Sequence, residues 1–173
     1  MPPADYFREM SNADLAVIDT TMRYDKRMKS VHRTVVSGRD GAPLYMTVPV
    51  STPGTSRCTW DEVSVSAHGH WWSVQRQTMA TFYGATPFFD FYRHDLFPFL
   101  SESAVGRHIT DLDIDLILTI RRLAGIDTPL SVTLDPRLTT DRDVEIKDLR
   151  NHDFYARPDT RSAIDALFHQ GKL

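Results

Sequence analysis

A short basic segment holds the side chains that best combine anion binding with proton transfer. Residues 23–33 read RYDKRMKSVHR and carry a formal net charge of +4, whereas the 173-residue chain as a whole is at −3. Arginine binds phosphate or carboxylate groups as a two-pronged donor, and lysine binds them as a point charge. The segment therefore predicts a site for an anionic ligand. The alternative is a solvated strand face that binds nothing.

Residue roles follow from the chemistry of each group. His32 is the only side chain of the segment whose ordinary pKa suits proton transfer near neutral pH, so we predict it as the catalytic acid or base. The aromatic rings of Tyr24 and Trp71 would stack on a sugar ring or a base. The predicted substrate-binding side chains are Tyr24, Lys26, Arg27, Arg33 and Trp71. Because side chains alternate along a strand, His32 should share a face with Thr34, and Arg33 should point the other way.

Other reactive groups give weaker signals. His68 and His70 have a spacing that can chelate zinc, but no second cluster of ligands completes a site, so we predict no metal. Cys58 is the single cysteine, and we expect it to be inert rather than a nucleophile. Asp111 and Asp115 share one side of a predicted helix near its N-terminus, where acids favour the helix dipole. No phosphate-loop, dinucleotide or triad motif is present, and we predict no cofactor.

Length and composition bound the class of protein. A chain of 173 residues is long enough for one domain with a sizeable core. The negative net charge argues against nucleic-acid binding, which would use a broad basic face. No apolar run approaches the roughly 20 residues that span a bilayer, and the N-terminus lacks the apolar core of a signal peptide. With one cysteine, the expectation is a soluble cytoplasmic protein.

Local patterns predict an α/β chain. We expect one domain over residues 1–173, with a mixed sheet that contains a β-hairpin and is flanked by helices, and a loop-rich part from about residue 136. Thr110 is predicted to cap the clearest helix, and Gly125 to close it. The predicted helices cover residues 3–14, 70–84, 86–102, 109–126 and 160–170. The predicted strands cover residues 15–19, 62–66 and 129–135, and the hairpin covers 32–50 around a GRDG turn. The apolar run at residues 15–19 predicts a buried strand.

The segment TPFFDFYRHDLFPFL is unusually rich in aromatic residues. We expect a seam of the core in which Phe88, Phe89 and Phe91 are mostly buried and Tyr92 less so. The alternative is a stacking wall for a sugar ring or a base.

The order of several motifs resembles the WbqC-like family of bacterial proteins. LDIDLILTIRRLAGIDTP resembles the family's helix ending in an LGI-x-T element, and PDTRSAIDALFHQG is similar to its closing SIIDLLFN-x-G segment. Members usually begin with an apolar strand, which this chain, starting at Met1, lacks, so we expect either a truncated start or a dispensable strand. Ser30, Val31 and His32 stand where many members have Arg-Asn-Arg. The other matching stretches are residues 6–7, 13–19, 24 with 26, 47–50, 71–83 and 87–92.

The resemblance implies a role in surface-polysaccharide biosynthesis, because the family's name refers to genes for lipopolysaccharide O-antigen assembly. It implies an enzyme that acts on an activated sugar or on an acyl or aminoacyl donor, such as a transferase that modifies an amino sugar. The alternative is a non-catalytic scaffold that binds an anion or a sugar nucleotide in the same pathway. In both cases the predicted partner is a small anionic ligand, with no nucleic acid and no membrane span.

Overall fold

The computed structural model describes residues 2–38, 41–54, 57–133, 162–171 and 173. In this part of the chain there are five α-helices and six β-strands. The helices are α1 (Ala4–Ser11), α2 (Trp71–Tyr83), α3 (Phe89–Leu96), α4 (Ile109–Leu123) and α5 (Ala163–Gln170). The strands are β1 (Ala16–Asp19), β2 (Arg33–Ser37), β3 (Pro43–Thr47), β4 (Val50–Ser51), β5 (Ser64–Val65) and β6 (Leu130–Thr133). The loop-rich part expected from about residue 136 lies, up to residue 161, outside the described residues.

The strands pair in both directions, which confirms the mixed α/β class. β1 pairs with β6 in parallel, β2 with β3 as the predicted antiparallel hairpin, and β4 with β5 in antiparallel. Within the described residues these pairs form three separate two-stranded sheets. A two-stranded sheet covers little of either face, so Val17 of β1 and Val132 of β6 are exposed, although the sequence predicted a buried strand at residues 15–19.

Helix α4 shows how local sequence sets an element. Its apolar residues Ile109, Leu112, Ile117 and Ile120 recur at helical spacing and are buried. Gly125 has a φ of 66°, and its N–H donates to the Arg122 carbonyl while the next N–H reaches the Arg121 carbonyl. This is the left-handed closure predicted for Gly125. The predicted cap at Thr110 is wrong, because the N-cap is His108, two residues earlier, and Thr110 lies inside the first turn.

Helix α3 corrects the prediction for the aromatic block. Phe89 and Tyr92 are each 5% exposed, whereas Phe91 is 69% exposed. Residues three apart share a face of a helix, so Phe89 and Tyr92 point into the core and Phe91 points away from it. Phe88, 36% exposed, precedes the helix and lies against Gly171. Since Phe89 is buried, the block serves mainly as core.

The C-terminal helix α5 is packed almost completely into the protein. All its residues from Ala163 to Phe168 are buried, and the Ser162 hydroxyl accepts a hydrogen bond from the Asp165 N–H at its start. The Asp165 carboxylate accepts hydrogen bonds from the Tyr83 hydroxyl and the Ser37 hydroxyl. These contacts tie α5 to α2 and to the end of β2.

Candidate functional site

A narrow cleft opens between the β2–β3 hairpin and helices α2, α4 and α5. Thr34 and Val36 of β2 are buried on one face of the strand, and His32, which immediately precedes β2, is buried on the same face, as the alternation of a strand predicts. His32 and Thr34 therefore line the cleft, together with Trp71 and Gln75 of α2. Its free volume is about 50 Å³. Because one water needs roughly 10–15 Å³ measured in this way, there is room for a few non-hydrogen atoms.

His32 is the central polar group of the cleft. Its Nδ1 lies 3.1 Å from the Val48 carbonyl oxygen, which can only accept a hydrogen bond. Nδ1 therefore carries the proton, and Nε2 carries the lone pair. Nε2 is buried and has no hydrogen-bond partner among the described residues. Such a nitrogen can accept a proton or a hydrogen bond from a bound molecule.

Two effects hold His32 neutral. Burial lowers the pKa of its imidazole, and the positive charges of Lys29 and Arg33 lower it further, although the hydrogen bond to Val48 acts in the opposite direction. A neutral imidazole is the form that can act as a general base.

Asp113 is a cleft residue that the sequence analysis did not select. It lies one helical turn after Ile109 and one turn before Ile117, so it interrupts the buried face of α4. Burial raises the pKa of its carboxyl group to about 6. A carboxylate on an apolar stripe of a helix is a sequence signal that could have identified it. Of the neighbouring acids, Asp111 lies in the first turn of α4, as expected, whereas Asp115 lies beyond the first turn and pairs with Arg107.

The other residues predicted for the site fall into two groups. Trp71 and Arg33 are both lining residues of the cleft. The Trp71 indole N–H donates to the Ser66 carbonyl. The Arg33 side chain lies on the other face of β2, where its Nε donates to the Thr47 hydroxyl and its guanidinium carbon lies 5.4 Å from the centre of the Tyr45 ring. The structure thus brings His32 and Trp71 together in the cleft and holds the guanidinium of Arg33 on the opposite face of the hairpin.

Tyr24, Lys26 and Arg27 lie outside the cleft lining. The ring of Tyr24 packs edge-on against Trp60, with 4.7 Å between ring centres, inside a hydrophobic cluster. Lys26 is exposed. The Arg27 side chain is also exposed and pairs with Asp25, which closes the local turn by accepting from the Arg27 N–H. The turn at residues 25–28 therefore separates these two cations from His32.

The described residues contain no group of three His, Cys, Asp or Glu side chains placed to hold a metal ion. His68, His70 and His94 are exposed, and the Cys58 thiol is buried. Among the described helices, none is both long and apolar enough to cross a bilayer.

Fold and site together define a small α/β protein with a mainly apolar cleft that is lined by one histidine, His32. The sequence profile of the WbqC-like protein family matches residues 1–170 of the 173-residue chain. The chain therefore belongs to the WbqC-like protein family. No curated protein and no solved structure matches the chain.

Proposed function

We propose that this protein is a transferase of polysaccharide biosynthesis that uses His32 as a general base on an activated donor, either an activated sugar or an acyl or aminoacyl compound. Membership of the WbqC-like family supports a role related to polysaccharide biosynthesis. The single observation that carries the catalytic part is the His32 imidazole, whose tautomer is fixed and whose Nε2 lone pair is available inside the cleft.

Two further features support an anionic donor. Arg33 follows His32 in the chain, and the Thr47 hydroxyl holds its Nε, so its outer guanidinium nitrogens are already oriented. Lys29 is exposed three residues before His32. Both cations would attract an anionic group of the donor that remains outside the cleft. Asp113 provides a second group that can exchange a proton near neutral pH.

The test begins with a ligand screen by thermal shift against sugar nucleotides, acyl-CoA thioesters and free amino acids. A ligand at 100 times its dissociation constant stabilises the fold by about 2.7 kcal/mol, which is a shift of several degrees. With a bound donor identified, His32→Gln should lower turnover by about 10²–10⁴-fold while donor affinity stays nearly unchanged. His94→Gln, which changes an exposed histidine of α3, is the matched control and should leave both quantities unchanged.

The alternative function is a non-catalytic binding protein of the same pathway. It needs the cations but no proton-transfer group, so His32→Gln would change affinity and no turnover would be found. Arg33→Ala should weaken anion binding about tenfold under either function, whereas Arg57→Ala, a change of an exposed arginine, should not. Unchanged donor binding in Arg33→Ala would contradict both functions at this site.

A further inference from the structure

The lining of the cleft discriminates between the two kinds of donor. Twelve of the seventeen described lining side chains are apolar, among them Met46, Met79 and Leu116. Of the polar lining residues, Gln75 donates to the Thr47 carbonyl at 2.9 Å and Arg33 donates to the Thr47 hydroxyl, so few polar groups beyond His32 Nε2 and the Asp113 carboxyl remain for a ligand. A sugar ring placed among these walls would leave several hydroxyl groups without partners, which opposes binding. An apolar chain would lose nothing on entry and would gain from burial.

The size of the cleft limits the length of such a chain. Its free volume of about 50 Å³ corresponds to about three to five water-sized positions. That is enough for a short chain and too little for a nucleotide, since sites for whole small molecules are typically about 300–1,000 Å³. The charged part of a donor must then remain outside the cleft, in the solvent in which Lys29 is exposed.

We infer that the cleft is an acyl-chain site and that the donor is a short-chain acyl thioester. Its chain of about three to five carbons lies in the cleft. Its thioester carbonyl lies at His32, and its anionic carrier remains outside. This inference rests on the proposed function. In the reaction, an acceptor amine attacks the thioester carbonyl, the new C–N bond forms and the C–S bond breaks. His32 Nε2 takes the proton from the amine and returns it to the departing thiolate.

The decisive experiment is a chain-length series. Binding of acyl-CoA thioesters with chains of two, four, six, eight and twelve carbons is measured by calorimetry in the absence of an acceptor, beside free CoA and a UDP-sugar. Affinity should rise about fourfold for each added methylene up to four or five carbons. It should then stop rising or fall, because longer chains do not fit.

Two substitutions change the size of the cleft in opposite directions. Met79→Ala removes a buried side chain of the wall and should move the optimum to longer chains, whereas Leu116→Phe should move it to shorter ones. Met10→Ala, a change of a buried methionine of α1 outside the cleft, controls for lost stability and should leave the optimum unchanged. If Met79→Ala does not fold, the wild-type series and Leu116→Phe still decide the question.

The outcomes separate this inference from the proposed function. Affinity that does not depend on chain length, absence of binding across the whole series, or tighter binding of the UDP-sugar would each overturn the acyl-chain site. Tighter binding of the UDP-sugar would leave the proposed function standing. A clear chain-length optimum combined with full turnover in His32→Gln would establish the acyl-chain site and refute His32 as the base.

Discussion

The carboxylate of Asp165 should be one of the most sensitive positions for stability in this protein. Asp165 is buried on α5 and accepts hydrogen bonds from the Tyr83 hydroxyl and from the N–H and hydroxyl groups of Ser37, the last two at 3.3 and 3.1 Å. Burial and the neighbouring Asp165 carboxylate both raise the pKa of Tyr83, so the phenol remains protonated and donates at all ordinary pH values. Asp165→Ala would remove this acceptor from the Tyr83 and Ser37 hydroxyls, whereas the Ser37 N–H also donates to the Tyr83 oxygen at 3.2 Å and keeps that partner.

The size of the effect follows from the burial of each donor. The Tyr83 hydroxyl belongs to a side chain that is 1% exposed, and leaving it unpaired should cost about 2 kcal/mol. Ser37 is exposed and can turn to water, so its two donors should add only about 1 kcal/mol together. The expected loss is therefore about 3 kcal/mol in the free energy of unfolding, or about 6–12 °C in melting temperature.

Urea unfolding of a double-mutant cycle measures the interaction directly. Asp165→Ala, Tyr83→Phe and the double variant should give a coupling energy of about 1.5 kcal/mol between the two side chains. Asp165→Asn keeps an acceptor for Tyr83 and should lose less than Asp165→Ala, and Asp127→Ala is the exposed control. A loss below about 1 kcal/mol in Asp165→Ala, with no coupling, would refute the view that this network holds α5 in place.

Two further predictions concern a glycine and the pH dependence of stability. Gly171 has a φ of 70°, and a Cβ there would lie 2.9 Å from the Phe88 ring. Gly41 is the control, since its φ is 73° and the space around it is open. In chemical denaturation, Gly171→Ala should lose about 1–3 kcal/mol more of the free energy of unfolding than Gly41→Ala. The pKa of His32 is lower in the folded state than in the unfolded state. Unfolding therefore takes up a proton when the pH falls below about 6.5, the ordinary pKa of histidine. The stability that His32 contributes above that pH is lost on acidification, with a slope of at most about 1.4 kcal/mol per pH unit. Urea unfolding from pH 7.5 to 5 should therefore show a flatter dependence for His32→Gln than for the wild type, while His94→Gln follows the wild type; equal slopes in all three would contradict a buried, neutral His32.

The sequence by itself determined the elements and the family. The helical spacing along α4, the left-handed closure at Gly125 and the hairpin between β2 and β3 are local properties, since each depends on side chains within one or two turns of the chain. The alternation of β2 was also sufficient to place His32 and Thr34 on one face. The ordered motifs were sufficient to indicate the WbqC-like family, which the match over residues 1–170 confirms.

Only the tertiary structure decided which charged groups surround the cleft. Lys26, Arg27 and Arg33 look equivalent in sequence, but the turn closed by Asp25 leaves the first two exposed outside the cleft while Arg33 is held by Thr47. Asp113 enters the site because α4 and the β2–β3 hairpin, distant in the sequence, line the same cleft. The Tyr83–Asp165 contact joins residues 82 positions apart. Such pairings depend on how whole elements pack, and the periodicity within a single element contains no information about its neighbours in space.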